Sequence, residues 1–138
     1  MLKKIKAFVC ALMSLLFLVS CSVSAFDDFQ KQFMNEYYNI IQNIDANEVD
    51  LVLEKLQKEE NSIILSNMDK LLIDNRAFGN RDKYKELKEI YSGLIELKGA
   101  YGKWETLDLD KQQYLNEQLS IMYAYLSQVD YEKKHGNE

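Results

Sequence analysis

The chain has 138 residues, 28% of them charged, with 22 acidic residues against 17 basic ones and a formal net charge of −5. That balance excludes bulk nucleic-acid binding, which needs a positive footprint, and opposes broad adsorption to an anionic membrane. Proline is absent and only 5 residues are glycine, so the composition favours helix throughout, in one domain without a repeat.

At the amino terminus Lys3, Lys4 and Lys6 form a positive start, and Ala7 to Val19 carry no charge. The uncharged run is shorter than the ~20 residues of a membrane-spanning helix and reads as an export signal. It closes in Leu18-Val19-Ser20-Cys21, which resembles the lipobox of bacterial lipoproteins. The resemblance covers the signal alone. It implies removal of residues 1–20 and acylation of Cys21, and two or three acyl chains make a durable anchor where one binds marginally. The expected location is then the cell envelope, on the periplasmic or the cell-surface side of a membrane. Val23-Ser24-Ala25 is a second, small-residue cleavage pattern, and cutting there would release a soluble protein beginning at Phe26. On either route Cys10 is lost and Cys21 is acylated or lost, which leaves no thiol for a disulfide, a nucleophile or a metal. Residues 21–26 are expected to form a short tether; its last five residues span ~17 Å if extended, so the domain should rest against its membrane.

Residues 27–130 are expected to fold as a compact, all-α antiparallel bundle of four to five helices. The first helix should start near Asp27, with Ser24 and Asp27 as a capping-box variant, and run to Ile44. Its stripe is Phe26, Phe29, Phe33, Tyr37, Ile40 and Ile44, flanked by Met34, Tyr38 and Ile41. Asp45-Ala46-Asn47 breaks the chain before a second helix from Glu48 to Glu60, with Val49, Val52, Leu53 and Leu56 inward. Asn61-Ser62 should cap a third helix carrying Ile64, Leu65, Met68, Leu71 and Leu72. Ile63 and Ile73 make that helix apolar most of the way round, which places it centrally. If the second and third helices merge into one bent rod, the bundle has four.

Gly79 is expected to end the third helix and Asn80 to cap the fourth, which runs from Arg81 to Tyr101. Tyr84, Leu87, Tyr91, Leu94, Leu97 and Tyr101 form its stripe, and Gly93 suits close helix packing. Asp108 or Asp110 opens the fifth helix, with Asp110 and Gln113 as a possible capping box. Leu115, Leu119, Met122, Leu126 and Val129 are its seam, and residues 131–138 should be a disordered tail.

Little in this pattern carries chemistry. His135 is the single histidine and sits in the expected tail, which removes Ser–His and His-based metal constellations from any rigid site. Asp108-Leu109-Asp110 starts like a calcium loop and then lacks the glycine and the terminal glutamate, so helix capping is the better reading. No metal or other cofactor is expected.

Two features point to binding. Arg76, Arg81, Lys83, Lys85 and Lys88 form a positive segment on an acidic chain, suited to lipid headgroups or an acidic partner. Aromatic residues Tyr91, Tyr101, Trp104, Tyr114, Tyr123 and Tyr125 gather around the turn between the fourth and fifth helices. Tyrosine and tryptophan combine large buried area with a polar handle, which makes them frequent anchors of interfaces. The candidate interaction surface is therefore Tyr101, Trp104, Tyr114 and Tyr123 with Arg81, Lys83 and Lys85. The expected function is that of a membrane-anchored binding module for a protein or small ligand. Alternatives are a secreted inhibitor or ligand-capturing protein, a subunit of a larger envelope complex, and, least favoured, an enzyme using carboxylates such as Glu36 or Glu117.

Overall fold

A computed structural model describes the backbone of residues 2–136 and the side chains of residues 23–136, Val129 and Lys133 apart. Its helices are α1 (Leu2–Ile44), α2 (Val49–Leu56), α3 (Glu59–Asp74), α4 (Asp82–Gly99) and α5 (Leu109–His135), with 3-10 turns at Arg76–Phe78 and Trp104–Thr106. No strand occurs among the described residues, and the all-α bundle has five helices, not four. Contacts between side chains set the directions. Asn43 meets Asn61 and Glu36 meets Asn67, so α3 runs back along α1. Tyr84 reaches Leu72 and Lys98 reaches Ser62, which turns α4 back along α3. The Glu96–Lys111 ion pair joins the end of α4 to the start of α5.

The spacing of α1 explains why it organises the core. Phe26, Phe29, Phe33, Tyr37, Ile40, Ile41 and Ile44 are all buried, and α1 packs against each of the other four helices. Each such side chain contributes roughly 1.5–3 kcal/mol by leaving water. The other helices add one buried face apiece: Val52, Leu53 and Leu56; Leu65, Met68 and Leu72; Tyr84, Leu87, Leu94 and Leu97; Leu115, Leu119, Met122 and Leu126. The central place expected for the third helix belongs to α1 instead. Ile63 and Ile73, which suggested otherwise, are 56% and 51% exposed.

Several helix ends differ from the sequence reading. α1 does not begin at Asp27 with a cap from Ser24; its helix continues through residues 22–26, so no extended tether is formed there. Those residues include neither glycine nor proline, and Phe26 is already fixed in the core. α5 likewise continues to His135 rather than ending in a disordered tail at Tyr131, with the ring of His135 4.5 Å from that of Tyr131. α2 stops at Leu56 and α3 starts at Glu59, so Asn61 lies inside a helix and caps nothing. It is fully buried: its amide donates to the Lys55 carbonyl at 2.8 Å and its carbonyl accepts from Asn43 at 3.1 Å. Those two bonds pin the α2–α3 joint to α1, and satisfied polar groups can be buried where lone ones cannot. Gly79 has an ordinary right-handed φ of −55° and ends the Arg76–Phe78 turn, while Arg81 rather than Asn80 precedes α4. Asp108, not Asp110, caps α5, accepting from the Lys111 amide at 2.8 Å.

Candidate functional site

The α4–α5 corner is built by three devices. Ala100 closes α4, Gly102 turns the chain at φ +68°, and the Trp104–Thr106 turn leads to the Asp108 cap. A left-handed φ disfavours any side chain, which explains glycine at 102. The Gln112 amide then donates to the carbonyls of Trp104 and Leu107, both at 3.1 Å, and ties the corner to α5. Against this corner lies α2, and between them is an open cleft of about 480 Å³. Tyr101 and Trp104 supply its aromatic surface; Asp50, Glu54 and Glu105 line it with three carboxylates against the single Lys103. Tyr101 is 50% exposed and Trp104 is half-buried, so the indole neither plugs the bundle end nor stands free. An aromatic and acidic lining suits a cationic group, held by the rings and the carboxylates together.

The expected surface does not gather in one place. Tyr101 and Trp104 share the cleft, but Tyr114 packs further along α5 beneath Lys111, whose ammonium is 5.3 Å from the ring centroid. Tyr123 lies fourteen residues along α5 from Leu109, ~21 Å away, with its hydroxyl buried and unpartnered. Burial holds that phenol above its ordinary pKa. Tyr125 packs edge-on against Tyr37 and Tyr38, at 5.2 and 5.8 Å between centroids, in the side of the bundle. Tyr91 belongs to another cleft, between α3 and α4.

The positive segment is divided in the same way. Lys83 pairs with Glu86 at 2.7 Å and Lys85 with Asp82 at 3.1 Å, each within one turn of α4. Such exposed pairs contribute little stability, yet they lower the local positive potential. The Arg81 guanidinium sits over the rings of Phe26 and Phe78, at 4.4 and 5.1 Å, and fastens the α3–α4 loop to α1 at Phe26. The remaining two cations, Arg76 and Lys88, make no ion pair among the described residues and line one cleft with Tyr91 and Ser92. Both belong to the positive segment read from the sequence but not to the candidate surface drawn from it; the i, i+3 and i, i+4 spacing of Lys88 to Tyr91 and Ser92 was the available signal for their grouping.

The carboxylates considered for catalysis lie on different elements. Glu36 accepts from Asn67 at 3.3 Å in a groove between α1 and α3 that also includes Asp74 and Lys70. Glu117 accepts from Gln113 on the exposed side of α5 and does not enter that groove. Among the described residues no group of acids, histidines or cysteines is arranged to hold a metal ion, and no helix is long and apolar enough to cross a membrane. The side chains of Leu18 to Cys21, the proposed acylation signal, lie outside the described residues. Compared with family models, curated proteins and solved structures, this chain matches none of them.

Proposed function

We propose that the protein is an envelope lipoprotein, exported through residues 1–20 and anchored through Cys21, whose helical domain acts by binding rather than catalysis. The observation that carries this reading is the polarity of α1. Phe26, five residues after Cys21, begins the buried part of the helix; the α2–corner cleft lies beyond Ile44, where that part ends. Eighteen residues of helix separate the two ends by ~27 Å. Anchoring at Cys21 therefore leaves the Tyr101–Trp104 cleft on the membrane-distal side, open to a soluble partner. The acidic and aromatic lining favours a partner segment rich in lysine or arginine. No cofactor and no nucleic acid enters this reading.

Metabolic labelling with a fatty-acid analogue tests the anchor: the wild type should be marked and Cys21→Ala should not. An unlabelled wild type whose amino terminus is Phe26 would establish the secreted form instead. For the cleft, an oligolysine peptide should shift Trp104 emission, the single tryptophan making the signal unambiguous. Asp50→Asn with Glu54→Gln should weaken that response about tenfold.

A further inference from the structure

The α3–α4 cleft has the composition of a site for a small amphipathic anion. It is an open cavity of about 360 Å³, within the range of ligand sites. Arg76 enters from the loop after α3, and Lys88, Tyr91 and Ser92 enter from α4. Leu72, Ile73 and the Tyr84 ring provide apolar wall, and Ile73 is 51% exposed although it is a large aliphatic side chain.

Three observations separate this cleft from the rest of an acidic surface. Arg76 and Lys88 are without an ion pair among the described residues, whereas their neighbours Lys83 and Lys85 have one each. The single carboxylate lining the cleft, Asp69, lies beside Tyr91, whose phenol is held above its ordinary pKa by burial first and then by Asp69. The Tyr84 hydroxyl is engaged with the Leu72 carbonyl at 2.7 Å, so its ring rather than its oxygen is offered. A guanidinium fork, an ammonium and a serine hydroxyl beside an aliphatic wall suit an anionic head carried on an apolar group.

We propose that this cleft binds a phosphate or carboxylate bearing a compact apolar group, independently of the corner cleft and of the anchoring at Cys21. Arg76 belongs to the α3–α4 loop, which Arg81 fastens to Phe26. A membrane phospholipid headgroup and a soluble organic phosphate share the required chemistry.

The test uses the full chain in nanodiscs of zwitterionic lipid, titrated with phenyl phosphate and followed by the Ile73 methyl and Ser92 amide resonances. Both signals should move with saturation, and inorganic phosphate should bind at least tenfold more weakly. Arg76→Gln with Lys88→Gln should reduce phenyl phosphate affinity at least tenfold while the helical circular dichroism is unchanged, since both side chains are exposed. Absence of shifts, or equal affinity in the double variant, overturns the site; equal binding of inorganic phosphate overturns the amphipathic requirement. Repeating the titration in phosphatidylglycerol nanodiscs identifies the source. Weaker apparent binding there means that lipid headgroups occupy the cleft, and unchanged binding assigns it to a soluble anion.

Discussion

At the start of the bundle Phe26, Phe29, Phe78 and Tyr84 pack ring against ring, whereas at the α4–α5 corner Tyr101 and Trp104 stay partly in solvent. The centroids of Phe26 and Phe78 are 5.1 Å apart, those of Phe29 and Tyr84 are 5.8 Å apart, and Arg81 covers the outside. Both ends are rich in aromatic residues, but helical spacing governs only the first. Positions 26, 29 and 33 lie on one face of α1 and enter the core together, while residues 101–106 follow a turn whose direction Gly102 sets. Aromatic content therefore marks a core where it is periodic and a surface where a turn interrupts it. The contrast also divides the rings by their weight in stability, because buried rings hold the fold and half-buried ones can be lost without collapse.

The sharpest test of that division is Phe33→Ala. Phe33 is fully buried next to Phe29, and emptying such a site costs ~3–5 kcal/mol. A domain stabilised by roughly 5–15 kcal/mol would lose much of its margin. Urea denaturation should show the midpoint falling steeply with an unchanged slope. A loss under about 1 kcal/mol would break the comparison at its core end.

Trp104→Ala should cost less, about 2 kcal/mol, because the indole is only half-buried. An indole fully buried between Tyr101 and Leu107 would cost the ~3–5 kcal/mol of a core tryptophan. In the structure Tyr101 faces solvent, and the corner is held by Gln112 and Asp108 rather than by the indole. Thermal melting of this variant beside Phe33→Ala ranks the two ends directly. A larger loss at Trp104 than at Phe33 would reverse that weighting.

These two residues also show what could be read from the chain. The buried stripe of α1 follows from spacing alone, since 3.6-residue periodicity fixes which side chains share a face. The α3 face was overread: Ile63 and Ile73 are apolar yet exposed, because an apolar residue need not be buried. Caps were the weakest inference. Asn61 and Asn80 have the chemistry of caps, but a tertiary bond to Asn43 draws the first inside, and the α3–α4 loop places Arg81 before α4. The basic segment was visible as composition, whereas its division among ion pairs, a cation–π contact and an open cleft depends on distances that no spacing rule supplies.

Between the two ends, Tyr37 gives the middle of the core a pH signature. Burial, and then the neighbouring Tyr125 and Tyr38, push its phenol far above the usual tyrosine range. Because the folded pKa is raised, this contribution is complete below pH ~10, where the unfolded chain also keeps its proton. It is lost as pH rises through ~10 toward the folded value, at ~1.4 kcal/mol per pH unit for this one group. Urea midpoints between pH 8 and 11 should fall in the wild type and fall less in Tyr37→Phe. Equal slopes in the two proteins would mean that Tyr37 loses its proton as readily when folded as when unfolded.

The smallest effects come from two glycines three residues apart at the corner, and they should have opposite signs. Gly99 is the last residue of α4, and a methyl group placed there meets nothing within 4 Å. Alanine costs less conformational entropy in a helix, so Gly99→Ala should stabilise by up to ~1 kcal/mol. Gly102 has equally open space but a φ of +68°. Gly102→Ala should therefore destabilise by ~1–2 kcal/mol through backbone strain alone. With steric contact absent at both positions, the difference isolates the turn that carries Tyr101 and Trp104. Guanidinium unfolding resolves a separation of this size when both variants are measured beside the wild type. If Gly102→Ala is neutral, the left-handed turn is not what keeps the corner rings at the surface, and the corner would then be free to close over Trp104. Emission from Trp104 in the same variant decides between those states, because a closed corner shifts it to the blue and an open one leaves it unchanged.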